Sequence, residues 1–365
     1  MKILFFTRQI DNVVGGLERQ INSIVEELAN RGHELVVISL DKRDVKSFYK
    51  NNSKNIRWIG LDVGDVSAVA SNRIRIKRQI KLLKLIRQER PDIAVSFMIG
   101  AFYFSRIPSF LAKVPLILSE RNSPDMYRLT SAKKIQYIHF FAMIFARKIT
   151  IQFENYKYKY PFWLRNKMVA IPNSTIKLEP ISDSKNTHFN FVFAGRFSFQ
   201  KQILRIINGF NEYRTAGGLG TLSIYGRGDQ QKQMEEMILD FNLDQHVEIY
   251  PANPNIEDIL HKADALCLFS IWEGFPNVLA EALSAGIPSI GFRNCDGVNE
   301  LIIDGLNGFL IEDEGDEICI ASGLAKIESA VKSKQINRTD VIHSMSKYSP
   351  KLIYDKWENL LSTIA

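Results

Sequence analysis

Cysteine is scarce in this sequence. Cys267, Cys295 and Cys319 are odd in number, widely spaced and outside any Cys-x-x-Cys pair, which excludes a disulfide framework and reads as a reduced, cytosolic chain. Long apolar runs are missing as well. The longest, Tyr137 to Ala146, contains His139 and is about half of what a spanning helix needs. The stretch Ile3 to Phe6 behind Met1-Lys2 is far too short for a signal-peptide core. No segment is therefore expected to cross a membrane. There is no Asp-x-Asp pair and no histidine cluster at metal-ligand spacing, so neither a metal nor a cofactor is expected. No low-complexity tract interrupts the chain, which excludes disorder as its general state.

With 365 residues there is room for two domains, each with its own core. The net charge of +7 is unevenly placed. Met1 to Pro180 carries 31 Lys+Arg against 15 Asp+Glu, and the remainder 16 against 25. An anionic partner is thus expected for the first half alone: nucleic acid, anionic lipid or a pyrophosphate substrate.

Short β-rich runs alternate with helical patterns throughout. KILFF, ELVVISL, DIAVSF, VPLILS, KITIQF and MVAIP fill the first half; FNFVFAG, LSIYG, HVEIY, ALCLFS, PSIGF and GFLIE fill the second. This alternation predicts an α/β fold with two doubly wound parallel sheets. The polar stretch Ile171 to Phe189, with two prolines and no period, reads as the linker, giving domains over 1–180 and 181–348. The last segment, 349–365, reads as a helix that packs on the first domain through Leu352, Trp357 and Leu360 or Leu361. Ligands of open α/β sheets sit outside the carboxyl ends of the strands, so two facing sheets would create one cleft.

The strongest signal is the run from Phe269 to Pro288, which includes Glu273-Gly274-Phe275-Pro276-Asn277-Val278-Leu279-Ala280-Glu281. A strand ends, a glycine permits a tight turn, and Pro276 stands where a first helical residue is expected. The N–H groups of Asn277, Val278 and Leu279 would then point out of the helix start and favour a phosphate. Glu273 just before the helix and Glu281 inside it can reach two parts of one elongated ligand. Taken alone, such a pair also suits a solvated helix.

With its flanks, this run resembles glycosyltransferase family 4, the retaining group 1 enzymes of GT-B fold, whose glutamate pair matches Glu273 and Glu281. The resemblance spans nearly the whole chain. Gly195-Arg196-Phe197 through Lys201 resembles the family's strand-loop-helix entry, where an arginine and a lysine grip the donor diphosphate. The family has glycine after that lysine, and this chain has Gln202. Gly15-Gly16, after the first strand, matches the family's glycine pair, whose bare backbone lets a phosphate or acceptor approach. Glu120-Arg121 stands where many relatives carry a histidine near the transferred sugar, and that role passes to these two residues. Tyr225 to Asp229, a glycine-rich turn, and Asn299 to Ile302 with Gly305 and Gly308 match framework segments.

What the resemblance implies is transfer of a hexose or N-acetylhexosamine from a nucleotide diphosphate sugar, with UDP as the expected nucleotide. Glu273 would hold sugar hydroxyls, Glu281 the ribose, and Arg196 and Lys201 the diphosphate. Some relatives use polyprenyl diphosphate-linked acceptors, so the acceptor is expected to be a glycan or lipid-linked glycan. An epimerase or phosphorylase of the same architecture is the rival enzyme, and a nucleic-acid-binding protein the rival of another class; no nucleic-acid recognition module is visible.

Arg73 to Arg87, RIRIKRQIKLLKLIR, carries seven basic residues. Ile76, Ile80, Leu83 and Ile86 would form an apolar stripe beside Arg73, Lys77, Lys81 and Lys84. Such a helix can meet an anionic membrane, an acceptor pyrophosphate, or solvent alone. Asn155 to Lys167 mixes aromatics with lysines, which suits an interface. The expected location is cytoplasmic, peripheral to the inner face of the membrane.

Overall fold

The structure is a computed structural model that describes every residue except 12, 14, 43, 44, 46, 48, 50–52, 177–187 and 254. Most of the expected linker therefore lies outside the described residues. The chain forms two units, one of Met1–Ser174 with Lys351–Ala365 and one of Thr175–Pro350.

The first unit holds β1 (Lys2–Phe6), β2 (Glu34–Ser39), β3 (Ile56–Gly60), β4 (Ile93–Phe97), β5 (Leu116–Ser119), β6 (Lys148–Ile151) and β7 (Met168–Ala170) in the order β3-β2-β1-β4-β5-β6-β7, every pair parallel. The second holds β8 (Asn190–Phe197), β9 (Thr221–Gly228), β10 (Val247–Pro251), β11 (Ala265–Leu268), β12 (Ser289–Phe292) and β13 (Gly308–Ile311) in the order β10-β9-β8-β11-β12-β13, again parallel. β4, β5, β11 and β12 are buried at every residue, the pattern of strands covered on both faces. The order reverses between β1 and β4 in one sheet and between β8 and β11 in the other. These two switch points are where open α/β sheets bind ligands.

The sequence reading missed β3. It is an edge strand of sequence IRWIG with one buried residue, so it lacks the apolar continuity of its neighbours. The run Tyr225–Gly228 is not a turn but the end of β9, in register with Ala194–Phe197 of β8. A Cβ on Gly228 would collide with the Phe197 carbonyl, so glycine there serves close strand approach.

The C-terminal helix Pro350–Ile364 packs into the first unit through Ile353, Tyr354, Trp357 and Leu361. Leu352, expected in that contact, is exposed instead. The basic helix Asn72–Glu89 also turns differently from expectation. Its buried side is Arg78, Leu82, Ile86 and Glu89, because the Arg78 guanidinium donates to the carbonyls of Val63 at 2.9 Å and Asp65 at 3.1 Å. Ile76 and Ile80 are 59% and 64% exposed, on the same outer side as Arg73, Lys77, Lys81 and Lys84.

Candidate functional site

The switch point of the second unit gathers most of the expected donor residues. β8 ends through Gly195, Arg196 and Phe197, and a single 3₁₀ turn, Phe199–Lys201, follows. That turn is stitched to the segment beyond β11. Gln200 accepts from Ile271 N at 2.9 Å through its carbonyl and donates from Nε2 to the Trp272 carbonyl at 2.7 Å. Lys201 is thereby held beside Glu273, with Nζ 2.5 Å from Oε1. Ser270 Oγ donates to the same oxygen at 2.6 Å. A Cβ on Gly195 would stand 3.6 Å from Lys201 Cε and 3.2 Å from Phe193, so glycine leaves the lysine stem room to lie across the strand.

Glu273 is anchored from behind. Its N–H donates to the Asp296 carbonyl at 3.0 Å. Gly297 has φ of +83°, and a Cβ there would sit 2.9 Å from both the Cβ and the carbonyl of Glu273, so only glycine serves this turn. Burial first, then the charge of Glu273, pushes the neighbouring Cys295 thiol well above its ordinary pKa. It is an inert packing residue.

The helix after the glutamate is Asn277–Ser284. Pro276 is its N-cap, not its first residue, and the first intrahelical bond runs from Ala280 N to the Pro276 carbonyl at 3.0 Å. The N–H groups of Asn277, Val278 and Leu279 precede it and have no acceptor within the helix. Glu281 is buried inside the helix, and Phe275 packs edge-on against Tyr348 at 5.5 Å. Gly274, between Glu273 and Phe275 in sequence, is buried.

Gln202 stands where the resembling family has glycine, and the backbone explains why. Its φ and ψ are 50° and 36°, the left-handed region, as N-cap of the helix Ile203–Thr215. The loop geometry that glycine favours is thus kept by a glutamine. Arg196 is exposed, and its register partner on β9 is Arg227, also exposed. Side chains in register on adjacent parallel strands share a face, so the two arginine side chains leave the sheet on the same face. Arg227, read from sequence as framework, is brought to the face of Arg196 by the register of β8 on β9.

In the first unit, Gly15 caps the helix Gly16–Asn30 at the β1/β4 switch point in extended conformation, which any residue adopts. The space a Cβ would need is taken by the Glu18 carboxylate. An acidic group already stands at this helix start, where it complements the dipole.

Glu120 and Arg121, expected near the transferred sugar, directly follow β5. Both are buried. Arg121 donates to Ser119 Oγ at 2.7 Å, Ile171 O at 2.9 Å, Thr150 Oγ1 at 3.2 Å, and Gln152 Oε1 and Asn173 Oδ1 at 3.3 Å, and lies 5.2 Å from the Trp357 ring. Glu120 accepts from Tyr127 Oη at 2.7 Å and from the N–H groups of Arg121 and Asn122. Burial raises the Glu120 carboxyl and lowers the Arg121 guanidinium from their ordinary values. Arg121 thus ties β5, β6 and the strand-end at Ile171 to the C-terminal helix.

Two known families cover the chain. Residues 14–157 match Glycosyltransferase Family 4, and residues 175–339 match Glycosyl transferases group 1. Among similar proteins, the amylovoran biosynthesis glycosyltransferase AmsD of Erwinia amylovora is 23% identical over 99% of each chain. An alpha-1,4-N-acetyl-D-galactosaminyltransferase of Campylobacter jejuni, named for a GalNAc-alpha-(1->4)-GalNAc-alpha-(1->3)-diNAcBac-PP-undecaprenol substrate, is 22% identical over 100% of this chain and 99% of its own. Anabaena HepE, solved with UDP-glucose, has a TM-score of 0.77 at 17% identity, with 100% of both chains covered, a likeness of fold. With two Rossmann-like parallel sheets and a family match in each half, the chain belongs to the group 1, family 4 glycosyltransferases of GT-B fold.

Proposed function

We propose that the chain is a retaining, metal-independent hexosyltransferase that moves a hexose or N-acetylhexosamine from a UDP-sugar to a polyprenyl diphosphate-linked glycan at the cytoplasmic face of a membrane. The observation that carries this reading is the Lys201–Glu273–Ser270 contact at the β8/β11 switch point, directly before a helix start that favours anions. Without ligand, Lys201 and Glu273 neutralise each other and hold each other in place. A diphosphate would draw Lys201, together with Arg196 and Arg227, toward its oxygens and leave Glu273 to accept from sugar hydroxyls. The Asn277, Val278 and Leu279 amides add partial positive charge to the same region. As the glycosidic bond to phosphate breaks, these cations stabilise the developing diphosphate charge, and a phosphate oxygen takes the acceptor proton. No protein nucleophile is required. Glu281 would serve the ribose.

Support for the acceptor class comes from the undecaprenol-linked substrate in the Campylobacter relative's name, and for the donor from UDP-glucose bound to HepE. Among the described residues no helix is long and apolar enough to cross a membrane, so a lipid-linked acceptor would be met at the surface. The test is transfer by mass spectrometry with a panel of nucleotide sugars and polyprenyl diphosphate-linked acceptors, with and without EDTA, on wild type and Glu273→Ala. Lipid-linked product from one donor, unaffected by EDTA and lost in the variant, is expected. No turnover of any donor by wild type would sink the proposal.

A further inference from the structure

The helix Gln136–Met143 has its apolar stripe on the wrong side for a soluble protein. Tyr137, Ile138, Phe141, Ile144 and Phe145 recur at helical spacing, normally the mark of a core face, yet all are exposed; Phe141 and Phe145 are 61% and 68% accessible. Only Phe140, Ala142 and Met143 of this helix are buried. The surface does not end there. Phe141 meets Trp163 at 6.3 Å, and Trp163 meets Phe162, 74% exposed, at 5.3 Å. On the other flank, Tyr103 Oη lies 2.8 Å from His139 Nδ1 and the Arg106 guanidinium lies 5.7 Å from the Phe145 ring. This joins the helix Met98–Leu111, whose Ile107, Phe110 and Leu111 are also exposed. Three helical segments thus present one apolar patch, far more than scattered surface apolar residues.

Its surroundings are cationic. Between Lys133 and Lys167 there are eight Lys+Arg and one acidic residue, Glu154. Beside the patch is a pocket of about 680 Å³ that shares Tyr137 and Trp163 with it and is lined by Arg128, Lys133, Lys159 and Arg165. Asp125 neutralises part of this charge through Lys159 at 2.7 Å and Arg128 at 3.6 Å. Exposed aromatics ringed by Lys and Arg match the interface of an anionic bilayer, with rings among the acyl chains and cations among the phosphates.

We propose that this face, built by the end of the helix Met98–Leu111, the helix Gln136–Met143 and the helix Phe162–Arg165, inserts into an anionic phospholipid bilayer, with the adjoining pocket seating a lipid phosphate. It deepens the membrane part of the function proposed above and reassigns the docking role. The helix Asn72–Glu89 contributes charge at the margin, because its two exposed isoleucines alone offer too little apolar surface to insert.

The experiment is sedimentation of the full-length protein with phosphatidylglycerol/phosphatidylcholine vesicles and with pure phosphatidylcholine vesicles. Wild type is expected to bind the anionic vesicles, more weakly in high salt. Phe141→Ser and Phe162→Ser should each lower affinity by about tenfold or more, with unchanged thermal melting, while Ile76→Ser/Ile80→Ser changes it by about threefold or less. Three results overturn the proposal: no binding to anionic vesicles, binding that survives Phe141→Ser/Phe162→Ser, or a solution dimer that these substitutions dissociate. Donor hydrolysis measured without vesicles separates this outcome from the enzymatic reading, since it depends on the second unit and should be the same in wild type and Phe141→Ser.

Discussion

Lys201 Nζ stands 2.5 Å from Glu273 Oε1, the oxygen that Ser270 Oγ also reaches, at 2.6 Å. One carboxylate oxygen thus carries a cation from the β8 side and a hydroxyl from the β11 side, so the two strand ends share one electrostatic link at the switch point.

Breaking that link from one side should harm both folding and turnover. Lys201→Met leaves a buried carboxylate without its cation and is expected to cost about 2 kcal/mol of stability and about 100-fold or more in kcat/KM. The double variant Lys201→Met/Glu273→Gln should regain most of the stability and none of the activity. Thermal melts and donor turnover on wild type, Lys201→Met and the double variant test this; recovery of activity in the double variant would contradict it.

Gln202 occupies the left-handed region with φ of 50°, a conformation that costs an L-residue about 1 kcal/mol and glycine almost nothing. Its side chain offsets part of this by accepting from Arg205 Nη1 at 3.2 Å. Gln202→Gly should therefore stabilise the second unit by about 0.5 kcal/mol, and Gln202→Val should destabilise it by more than 1 kcal/mol. Chemical denaturation reads both, and equal midpoints in all three proteins would refute the strain argument.

Arg121 is a clamp that donates from all three of its nitrogens. Arg121→Met is expected to destabilise the protein by about 3 kcal/mol or more, because it leaves the buried acceptors on Ser119, Thr150, Gln152, Ile171 and Asn173 unpaired. Arg121→Lys should fail nearly as badly, since an ammonium cannot reproduce the planar fork. A stable, well-folded Arg121→Met protein that had lost only turnover would favour the catalytic role expected from the sequence over the framework one.

Asp313 is held below its ordinary pKa of 3.8, first by the Arg205 guanidinium, whose Nη2 lies 2.9 Å away. A depressed carboxyl contributes stability that is complete above its unfolded pKa and disappears as pH falls through the lowered folded value. Asp313→Asn should cost about 1 kcal/mol at neutral pH and flatten the stability profile below about pH 4. Parallel acid limbs in wild type and variant would count against this assignment.

Twelve of the thirteen strands were legible, most plainly those buried on both faces, which must be unbroken apolar runs, as in LILS or ALCL. The glutamate motif was legible for a similar reason: strand, glycine, proline, then a helix is a local rule with a local signature. What stayed hidden depends on partners distant in sequence. Whether Ile76 faces in or out was decided by Arg78 finding the carbonyls of Val63 and Asp65. That Arg121 ties strands to the C-terminal helix was decided by Gln152, Asn173 and Trp357. The alternation of apolar runs with helical segments determined two parallel sheets, and the distribution of Lys and Arg determined a basic first half. Only the tertiary structure decided which cations share a face, because strand register places Arg196 beside Arg227, and which apolar stripe was left without protein to cover it, because burial is a property of the packed whole.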